Sequence, residues 1–159
     1  MQISHPDTKL RPITEADQAL LKHIYASTRE QELAQTDWND EQKAAFIAMQ
    51  FQAQHRAYSA YPNADFFVIM HQQQPVGRLY LQYRTNAILI IDLALLTPFR
   101  GRGIGTAMLQ TVFAEAGKLG QSVQIHVEKF NPALLLYQRL GFQLKEDKGV
   151  YLFLERGHS

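Results

Sequence analysis

The chain has 159 residues, of which 46% are hydrophobic and 19% charged, a balance that suits one globular domain with a sizeable core. Its formal net charge of +1 gives no indication of a nucleic-acid partner or of binding to an anionic membrane. It contains no cysteine, which excludes disulfides, thiolate metal sites and a cysteine nucleophile. Because it also lacks a signal-peptide pattern and an apolar run of ~18 residues, we expect a cytoplasmic protein with no membrane partner and no metal.

The first part of the chain predicts one strand and two helices. Leu10–Ile13 has the pattern of a short strand, and its proline places it at a sheet edge. Thr14–Asp17 has the form of a capping box, which starts the first helix. After a break from residue 31 to 38, a second helix runs from about Asp40 to Tyr58. Four aromatic residues here form either an aromatic pocket for a ligand or ordinary core and rim positions: Trp38, Phe51, Tyr58 and Tyr61.

The middle of the chain predicts a hairpin followed by a buried central strand. Asp65–His71 is apolar in its middle, and Val76–Arg84 alternates between two faces, so the two segments form an antiparallel pair. Ala87–Leu96 is a nearly continuous apolar run rich in Ile and Leu, which is typical of a strand buried on both faces. Thr97 and Pro98 end this strand, because proline cannot donate to a ladder.

A glycine-rich loop follows the central strand, with the sequence Arg100-Gly-Arg-Gly-Ile-Gly105. Alternate glycines permit a sharp turn, and a helix that begins within the loop directs its N–H groups and dipole at one place. With Arg100 and Arg102, these features predict an anion site. The nucleotide P-loop requires a lysine that is absent here, and the dinucleotide pattern G-x-G-x-x-G fails at Thr106. The loop does fit Arg/Gln-x-x-Gly-x-Gly/Ala; the alternative is a tight turn that binds nothing.

The last part of the chain predicts a β-α-β crossover and a closing hairpin. The helix after the glycine loop ends at Gly120, and the strand Ser122–Glu128 should lie parallel to the central strand with a right-handed connection. Asn131 and Pro132 start the last helix as N-cap and first helical residue. A hairpin across residues 147–149 closes the chain.

A second motif lies in this last helix, in the form Asn-x-x-Ala-x-x-Leu-Tyr-x-x-x-Gly-Phe. Together with the glycine loop, it resembles the GNAT superfamily of acyl-CoA-dependent N-acyltransferases, and the two motifs span residues 87–142 in the family's order. The motif asparagine would stand at Phe130, and Asn131 follows one residue later. The matching residues are Ala133, Leu136, Tyr137, Gly141 and Phe142.

The resemblance implies an α/β fold in one domain over residues 1–159. It implies a mixed, mostly antiparallel sheet of about seven strands with a parallel central β-α-β pair, and about four helices. It also implies acetyl-CoA as cosubstrate, with its pyrophosphate on the glycine loop and its pantetheine bonded to the central strand's backbone. The strand that carries His126 should splay away to admit the thioester. The expected coenzyme-binding residues are Leu93, Ala94, Leu95, Arg100, Gly101, Arg102, Gly103, Ile104, Gly105, Thr106 and Asn131. The alternative for Asn131 is a role as the helix cap alone, and Phe130 is open to a contact with pantetheine or the acyl chain.

The implied reaction is direct attack of a primary amine on the thioester. Such an amine has a solution pKa of ~10, so it needs desolvation or a base before it attacks. The resemblance makes Tyr137 the general acid for the leaving thiolate. For the base we favour Asp92, the one charge inside the central strand, because a carboxylate there is costly unless it is paired or at a site. The alternatives are a water chain or one of three other side chains: His126, Glu128 and Glu32.

The sequence leaves three candidate functions. The first is an N-acetyltransferase for a small-molecule or protein amine, with homodimer formation left open. The second is a non-catalytic acyl-CoA sensor on the same fold. The third, a flavin- or nucleotide-binding module, is disfavoured because the phosphate-loop patterns fail. The sequence does not identify the acceptor.

Overall fold

The computed structural model describes residues 1–157, which form one seven-stranded sheet in the order β1-β2-β3-β4-β5-β7-β6. Neighbouring strands are antiparallel except for β4 and β5, which are parallel. This confirms the mixed, mostly antiparallel sheet with a parallel central pair. The strands are β1 Thr8–Pro12, β2 Ala64–His71, β3 Gln74–Tyr83, β4 Ala87–Leu95, β5 Ser122–Glu128, β6 Gln143–Asp147 and β7 Tyr151–Arg156.

Five α-helices accompany the sheet in the described residues, against about four expected. The additional one lies in the predicted break after the first helix, where local polar sequence forms a short helix of five residues. The last helix begins two residues later than Pro132, because the backbone first makes a turn in which Leu134 N donates to Asn131 O. The helices are α1 Gln18–Ser27, α2 Glu30–Ala34, α3 Asp40–Ser59, α4 Ile104–Lys118 and α5 Leu134–Arg139.

Apolar side chains fill a core on each face of the sheet. The larger core packs α4 and α5 on the strands. The smaller core lies on the opposite face and packs α1 and α3 against β3. No helix in the described part of the chain has both the length and the hydropathy of a membrane span. The sheet is therefore covered by helices on both faces around β3 and β4, the strands that the predicted site uses.

β4 contains a bulge that decides which way its acidic residue faces. Tyr80 of β3 pairs with Asp92, but the next residue, Leu81, pairs with Ile90, so Ile91 is the extra residue. An extra residue reverses the faces of every residue after it. Regular alternation from Ile90, which lies in the larger core, would turn Asp92 towards α4. The bulge places it instead on the face of the smaller core.

β4 and β5 pair over only part of their lengths. Their parallel register begins at Ala87↔Ser122 and ends at Ile90↔Ile125. Beyond this point β4 continues along β3, while β5 continues along β7 to Glu128. The two strands separate at the level of the bulge, which opens a gap in the middle of the sheet. This is the separation that the family resemblance led us to expect.

Candidate active site

The glycine loop connects β4 to α4 through a backbone that requires glycine. A short 3₁₀ turn, Thr97–Phe99, leads into it, and Gly103 is the N-cap of α4 with a φ of 81°. Gly101 has a φ of 74°, which also lies in the left-handed region that L side chains rarely adopt. A Cβ on Gly101 would meet no atom within 4 Å. The position therefore requires glycine because of its backbone conformation and not because a side chain would be crowded.

Two arginines place positive charge beside this helix start. Arg100 Nε donates to Leu95 O at 2.9 Å, which holds the guanidinium over the end of β4. The guanidinium carbon of Arg102 lies 5.5 Å from the centroid of the Phe99 ring. Both arginines are exposed. Exposed cations, a helix N-terminus and a left-handed glycine backbone fit a diphosphate.

The backbone of Leu93–Leu95 borders the gap between β4 and β5. One edge of this segment pairs with β3, and the pairing extends to Gly77, which lies opposite Leu95. Its other edge extends beyond Ile90, the last β4 residue paired with β5. Strand edges of this kind bind extended amide-containing ligands as though they were an additional strand. The structure thus brings the predicted backbone residues and the glycine loop to the same end of β4.

Tyr137 of α5 is buried, with 8% of its surface exposed. Its ring makes an edge contact with Phe142 at a centroid distance of 5.7 Å. Burial raises the pKa of the Tyr137 hydroxyl to about 12, and the carboxylate of Asp92 adds to the increase. The two residues belong to different elements, Asp92 to β4 and Tyr137 to α5.

Asp92 is not an isolated charge, because Arg78 of β3 forms an ion pair with it. Arg78 is 2% exposed, and its Nη2 also donates to Gln54 Oε1 of α3 at 2.7 Å. Its guanidinium carbon lies 5.9 Å from the ring centroid of Tyr58 and 5.2 Å from that of Tyr80. Such contacts compensate a buried cation. The Asp92 side chain retains 22% exposure, so the carboxylate of this ion pair is accessible to a ligand, whereas the buried Nε of Arg78 has no hydrogen-bond partner among the described residues.

Comparison with known proteins agrees with this arrangement. A family profile described as "Acetyltransferase (GNAT) domain" matches residues 62–144, which is just over half of the 159-residue chain. The chain belongs to the GNAT acetyltransferase family. The match includes the glycine loop, the separated strands and Tyr137, and it excludes the N-terminal helices. No curated protein matches this GNAT chain in sequence.

Solved structures show the same fold for this GNAT domain. The PaiA N-acetyltransferase from Thermoplasma acidophilum, in complex with coenzyme A, superposes with a TM-score of 0.72 at 16% identity, over 95% of this chain and 99% of that one. An acetyltransferase from Thermus thermophilus gives 0.69 at 22% identity, over 94% and 96%. A GNAT family acetyltransferase from Elizabethkingia anophelis with acetyl-CoA bound gives 0.63 at 15% identity, over 96% and 99%. At these levels of sequence identity, the similarity shows a shared fold and nothing further.

The four aromatic residues considered for an acceptor pocket fall into separate places in the GNAT domain. Phe51 is 1% exposed and belongs to the smaller core. Trp38 packs on Phe46 with ring centroids 5.3 Å apart. Tyr58 and Tyr61 make an edge contact at 6.4 Å, and burial together with the Asp92 carboxylate raises the pKa of Tyr58. Of the four, Tyr58 is the one that lies beside Arg78, the ion-pair partner of Asp92.

The other candidate bases have different surroundings. His126 lies just past the end of the β4–β5 pairing, and its Nε2 is 3.3 Å from Lys148 Nζ. Partial burial, and then the charge of Lys148, lower the pKa of His126. Glu128 is exposed at the end of β5, and exposed Glu32 forms an ion pair of 2.9 Å with Arg29. Glu32 therefore has a local partner in its own part of the GNAT domain.

The second motif's departure from the family pattern leaves an exposed aromatic residue. Phe130 is 96% exposed, so it has no packing role within the described chain. Asn131 Oδ1 accepts a hydrogen bond from Ala133 N at 2.9 Å, which is a capping contact at the turn before α5. The prediction of Asn131 as the N-cap of the last helix is therefore wrong, because α5 begins later and its N-cap is Ala133; the contact of Asn131 with coenzyme A stays a prediction.

Two residues of this region were not predicted from the sequence. They are Arg78, the buried partner of Asp92, and Gly77, which lets β3 approach β4. Arg78 lies within the alternating segment Val76–Arg84, and Gln54 lies in the helix predicted from about Asp40 to Tyr58; neither pattern identifies a partner. A signal existed, because an arginine flanked by apolar strand residues needs a buried acidic partner. Gly77 gave no such signal. A Cβ on it would overlap the carbonyl oxygen of Ala94, so glycine allows β3 to lie close to β4 there.

Proposed function

We propose that this chain is an acetyl-CoA-dependent N-acetyltransferase that transfers an acetyl group to a primary amine by direct attack in a ternary complex. The observation that carries the proposal is the gap between β4 and β5. The glycine loop lies at the end of β4, Asp92 lies on β4 just beyond the last residue paired with β5, and the Asp92 carboxylate contributes to the raised pKa of the Tyr137 hydroxyl. The neighbours crystallised with coenzyme A or acetyl-CoA support the choice of cosubstrate.

The proposed cosubstrate would be held mainly by backbone. Its thioester supplies an acyl group that is already activated for attack by an amine. The N–H groups at the start of α4, with Arg100 and Arg102, bind the diphosphate. The free edge of Leu93–Leu95 binds the amide groups of the pantetheine arm. These contacts position the thioester at the gap, and positioning removes much of the entropic barrier of a two-substrate reaction.

Tyr137 is the proposed general acid. Its pKa of about 12 keeps the hydroxyl protonated at neutral pH, so it can donate its proton to the leaving sulfur. Its low exposure protects that proton from exchange with solvent during the transfer. General acid catalysis of this type is typically worth ~10²–10⁴ in rate. We expect the low end, because a thiolate is a fair leaving group.

Asp92 is the proposed acceptor of the amine's proton. Its carboxylate attracts the incoming ammonium, and its exposed fraction of 22% allows contact with a ligand in the gap. Arg78 holds the carboxylate in place through their ion pair. Asp92 acts through proximity, and water provides the alternative route for the proton. The acceptor is a small-molecule or protein amine, and we place the reaction in the cytoplasm, which the cysteine-free sequence fits.

Thiol release from acetyl-CoA, measured with a panel of primary amines, tests this function. We expect turnover with at least one amine and a product that carries the acetyl group on nitrogen. Asp92→Asn should lower turnover and leave coenzyme A affinity almost unchanged. Tight binding of acetyl-CoA without turnover on any amine would support the non-catalytic sensor. Failure of the wild-type protein to bind coenzyme A would reject both functions.

A further inference from the structure

The N-terminal segment reaches the glycine loop through His5. His5 Nε2 lies 3.1 Å from the backbone oxygen of Arg102, and a Cβ on Gly103 would lie 3.9 Å from the same ring. A carbonyl oxygen only accepts hydrogen bonds, so this contact requires the tautomer in which Nε2 carries the proton and donates; Nδ1, which is 3.2 Å from Pro6 O, then cannot donate to that oxygen. His5 lies outside residues 62–144, which the family profile matches. The family pattern therefore assigns this contact no role.

The other ring nitrogen anchors His5 to the sheet. Nδ1 lies 2.9 Å from the hydroxyl of Thr8, a buried residue whose hydroxyl is also 2.9 Å from His71 Nδ1. The rings of His5 and His71 make an edge contact at 5.4 Å. In the same turn, Gln72 N donates to Asp7 O at 2.9 Å. The donor that faces the loop is thus held by the first strand and by the β2–β3 hairpin.

The glycine loop needs such a restraint because its own backbone resists rotation weakly. Gly101 and Gly103 flank Arg102, and glycine has low steric barriers on both sides of φ = 0°. The peptide group between Arg102 and Gly103 can therefore rotate more easily than one between bulkier residues. A peptide group is planar and trans, so its C=O and N–H point in opposite directions. Holding the oxygen of Arg102 towards His5 fixes the direction of the Gly103 N–H.

We propose that His5 is a positioning residue for the coenzyme, which locks the Arg102–Gly103 peptide so that the loop is preorganised for a diphosphate. This inference rests on the proposed function of the glycine loop. Ordering a loop before binding removes that cost from the binding step. His5 does not touch the reacting atoms. Its loss should therefore weaken coenzyme binding and leave the chemical step unchanged.

Calorimetric titration of coenzyme A into three variants tests the restraint. His5→Ala should weaken binding by ~5-fold, the value of one ordinary hydrogen bond. His5→Gln should stay within about twofold of wild type, because its amide N–H can still donate to the oxygen of Arg102. His23→Ala, at an exposed position of α1, is the matched control and should bind as wild type. Equal affinity of His5→Ala and wild type would overturn the inference.

Two further measurements separate this restraint from a general effect on folding. With an acetyl-pantetheine thioester, which lacks the diphosphate, kcat/KM should be the same for His5→Ala and wild type. An equal loss on this substrate would make His5 a residue of the fold only. Amide hydrogen exchange of residues 100–106 in the free protein should be faster in His5→Ala and normal in His5→Gln. If wild type fails to bind coenzyme A, the proposed function falls, and the exchange result alone decides whether His5 restrains the loop.

Discussion

The two sides of the site are built in different ways. The proposed coenzyme side, formed by the Leu93–Leu95 edge and the Gly101–Gly105 loop, offers mainly backbone groups whose directions depend on left-handed glycines. The proposed acceptor side, formed by Gln54, Arg78 and Asp92, depends on a buried ion pair with one further hydrogen bond. A backbone site depends on conformation. A buried charge site depends on every partner being present.

This difference implies different consequences of mutation. Wrong backbone geometry in an exposed loop removes a ligand's contacts while the cores on both faces remain intact. Removal of one member of a buried ion pair leaves its partner desolvated and uncompensated, and the free energy of unfolding falls. We therefore expect substitutions on the acceptor side to act mainly on stability. Those on the coenzyme side should act mainly on affinity, and the chemical step should respond to Tyr137 and, as the one exception on the acceptor side, to Asp92.

The largest effect is expected at Arg78. Breaking a buried ion pair by removal of one partner typically costs ~3–5 kcal/mol. We expect about 3 kcal/mol for Arg78→Met, because the Asp92 side chain keeps 22% exposure and some hydration. Urea denaturation measures the change. Arg84→Met, at an exposed position just after the same strand, is the control and should cost about 1 kcal/mol or less.

A second substitution sharpens this test. Adding Asp92→Asn to Arg78→Met should recover part of the lost stability, because the unpaired charge is then removed. If Arg78→Met were as stable as Arg84→Met, the ion pair would contribute nothing to the fold. The contrast between the two sides of the site would then be wrong.

The next effect is on catalysis, at Tyr137. Tyr137→Phe keeps the ring and its contact with Phe142 but removes the proton. We expect kcat to fall by ~100-fold, about 2.7 kcal/mol in the barrier, with little change in the KM for acetyl-CoA or in the melting temperature. Because the hydroxyl's pKa is raised to about 12, it should remain protonated, and active as an acid, well into the alkaline range.

Steady-state kinetics decide the role of Tyr137. Tyr83→Phe is the control, since Tyr83 packs on the edge of the larger core and should leave kcat unchanged. A kcat for Tyr137→Phe within a factor of ~2 of wild type, when chemistry limits the rate, would make Tyr137 a packing residue.

The contrast between the two sides also explains what the sequence could predict. The coenzyme side lies in one continuous stretch, residues 87–118, where an apolar run, alternate glycines and helical spacing are all local signals. The acceptor side joins side chains from α3, β3 and β4. Nothing local shows that they meet. The face of Asp92 depends on a bulge at Ile91, and a run that is apolar on both faces cannot reveal a bulge.

The predicted boundaries of helices were wrong where a polar local sequence gives no periodic signal and tertiary packing decides the structure. The break predicted for residues 31–38 contains α2, a five-residue helix with no buried residue to produce a periodic signal. The contact of His5 with the loop joins residues 97 positions apart, and a histidine in a polar N-terminal segment carries no local sign of its partner. In both cases the missing information is tertiary.

A smaller effect is expected at Gly77, beneath the coenzyme side. A Cβ there would overlap the carbonyl oxygen of Ala94 and lie 2.9 Å from the Leu95 side chain. Overpacking of this kind typically costs ~1–3 kcal/mol, and the resulting shift would fall on the edge proposed to hold pantetheine. Gly77→Ala should therefore lower both the melting temperature and coenzyme A affinity. In contrast, Gly117→Ala, whose Cβ would meet nothing within 4 Å, should stabilise α4 by up to ~1 kcal/mol. Equal stability of the two variants would show that β4 can move at Ala94 without cost.

The smallest effect, and the one that tests the coenzyme side most directly, is expected at Gly103. Its φ of 81° is strained for valine by ~1–3 kcal/mol, and relief of that strain would redirect the N–H groups at the start of α4. Gly149 has a φ of 90° in the turn between β6 and β7, so Gly149→Val carries similar strain far from the loop. Both variants should lose similar stability, but only Gly103→Val should lose coenzyme A affinity, by ~10-fold or about 1.4 kcal/mol. Calorimetry below both melting transitions separates the two quantities. If both variants bind coenzyme A as wild type does, the glycine loop is a turn without a ligand, and the diphosphate must be held elsewhere.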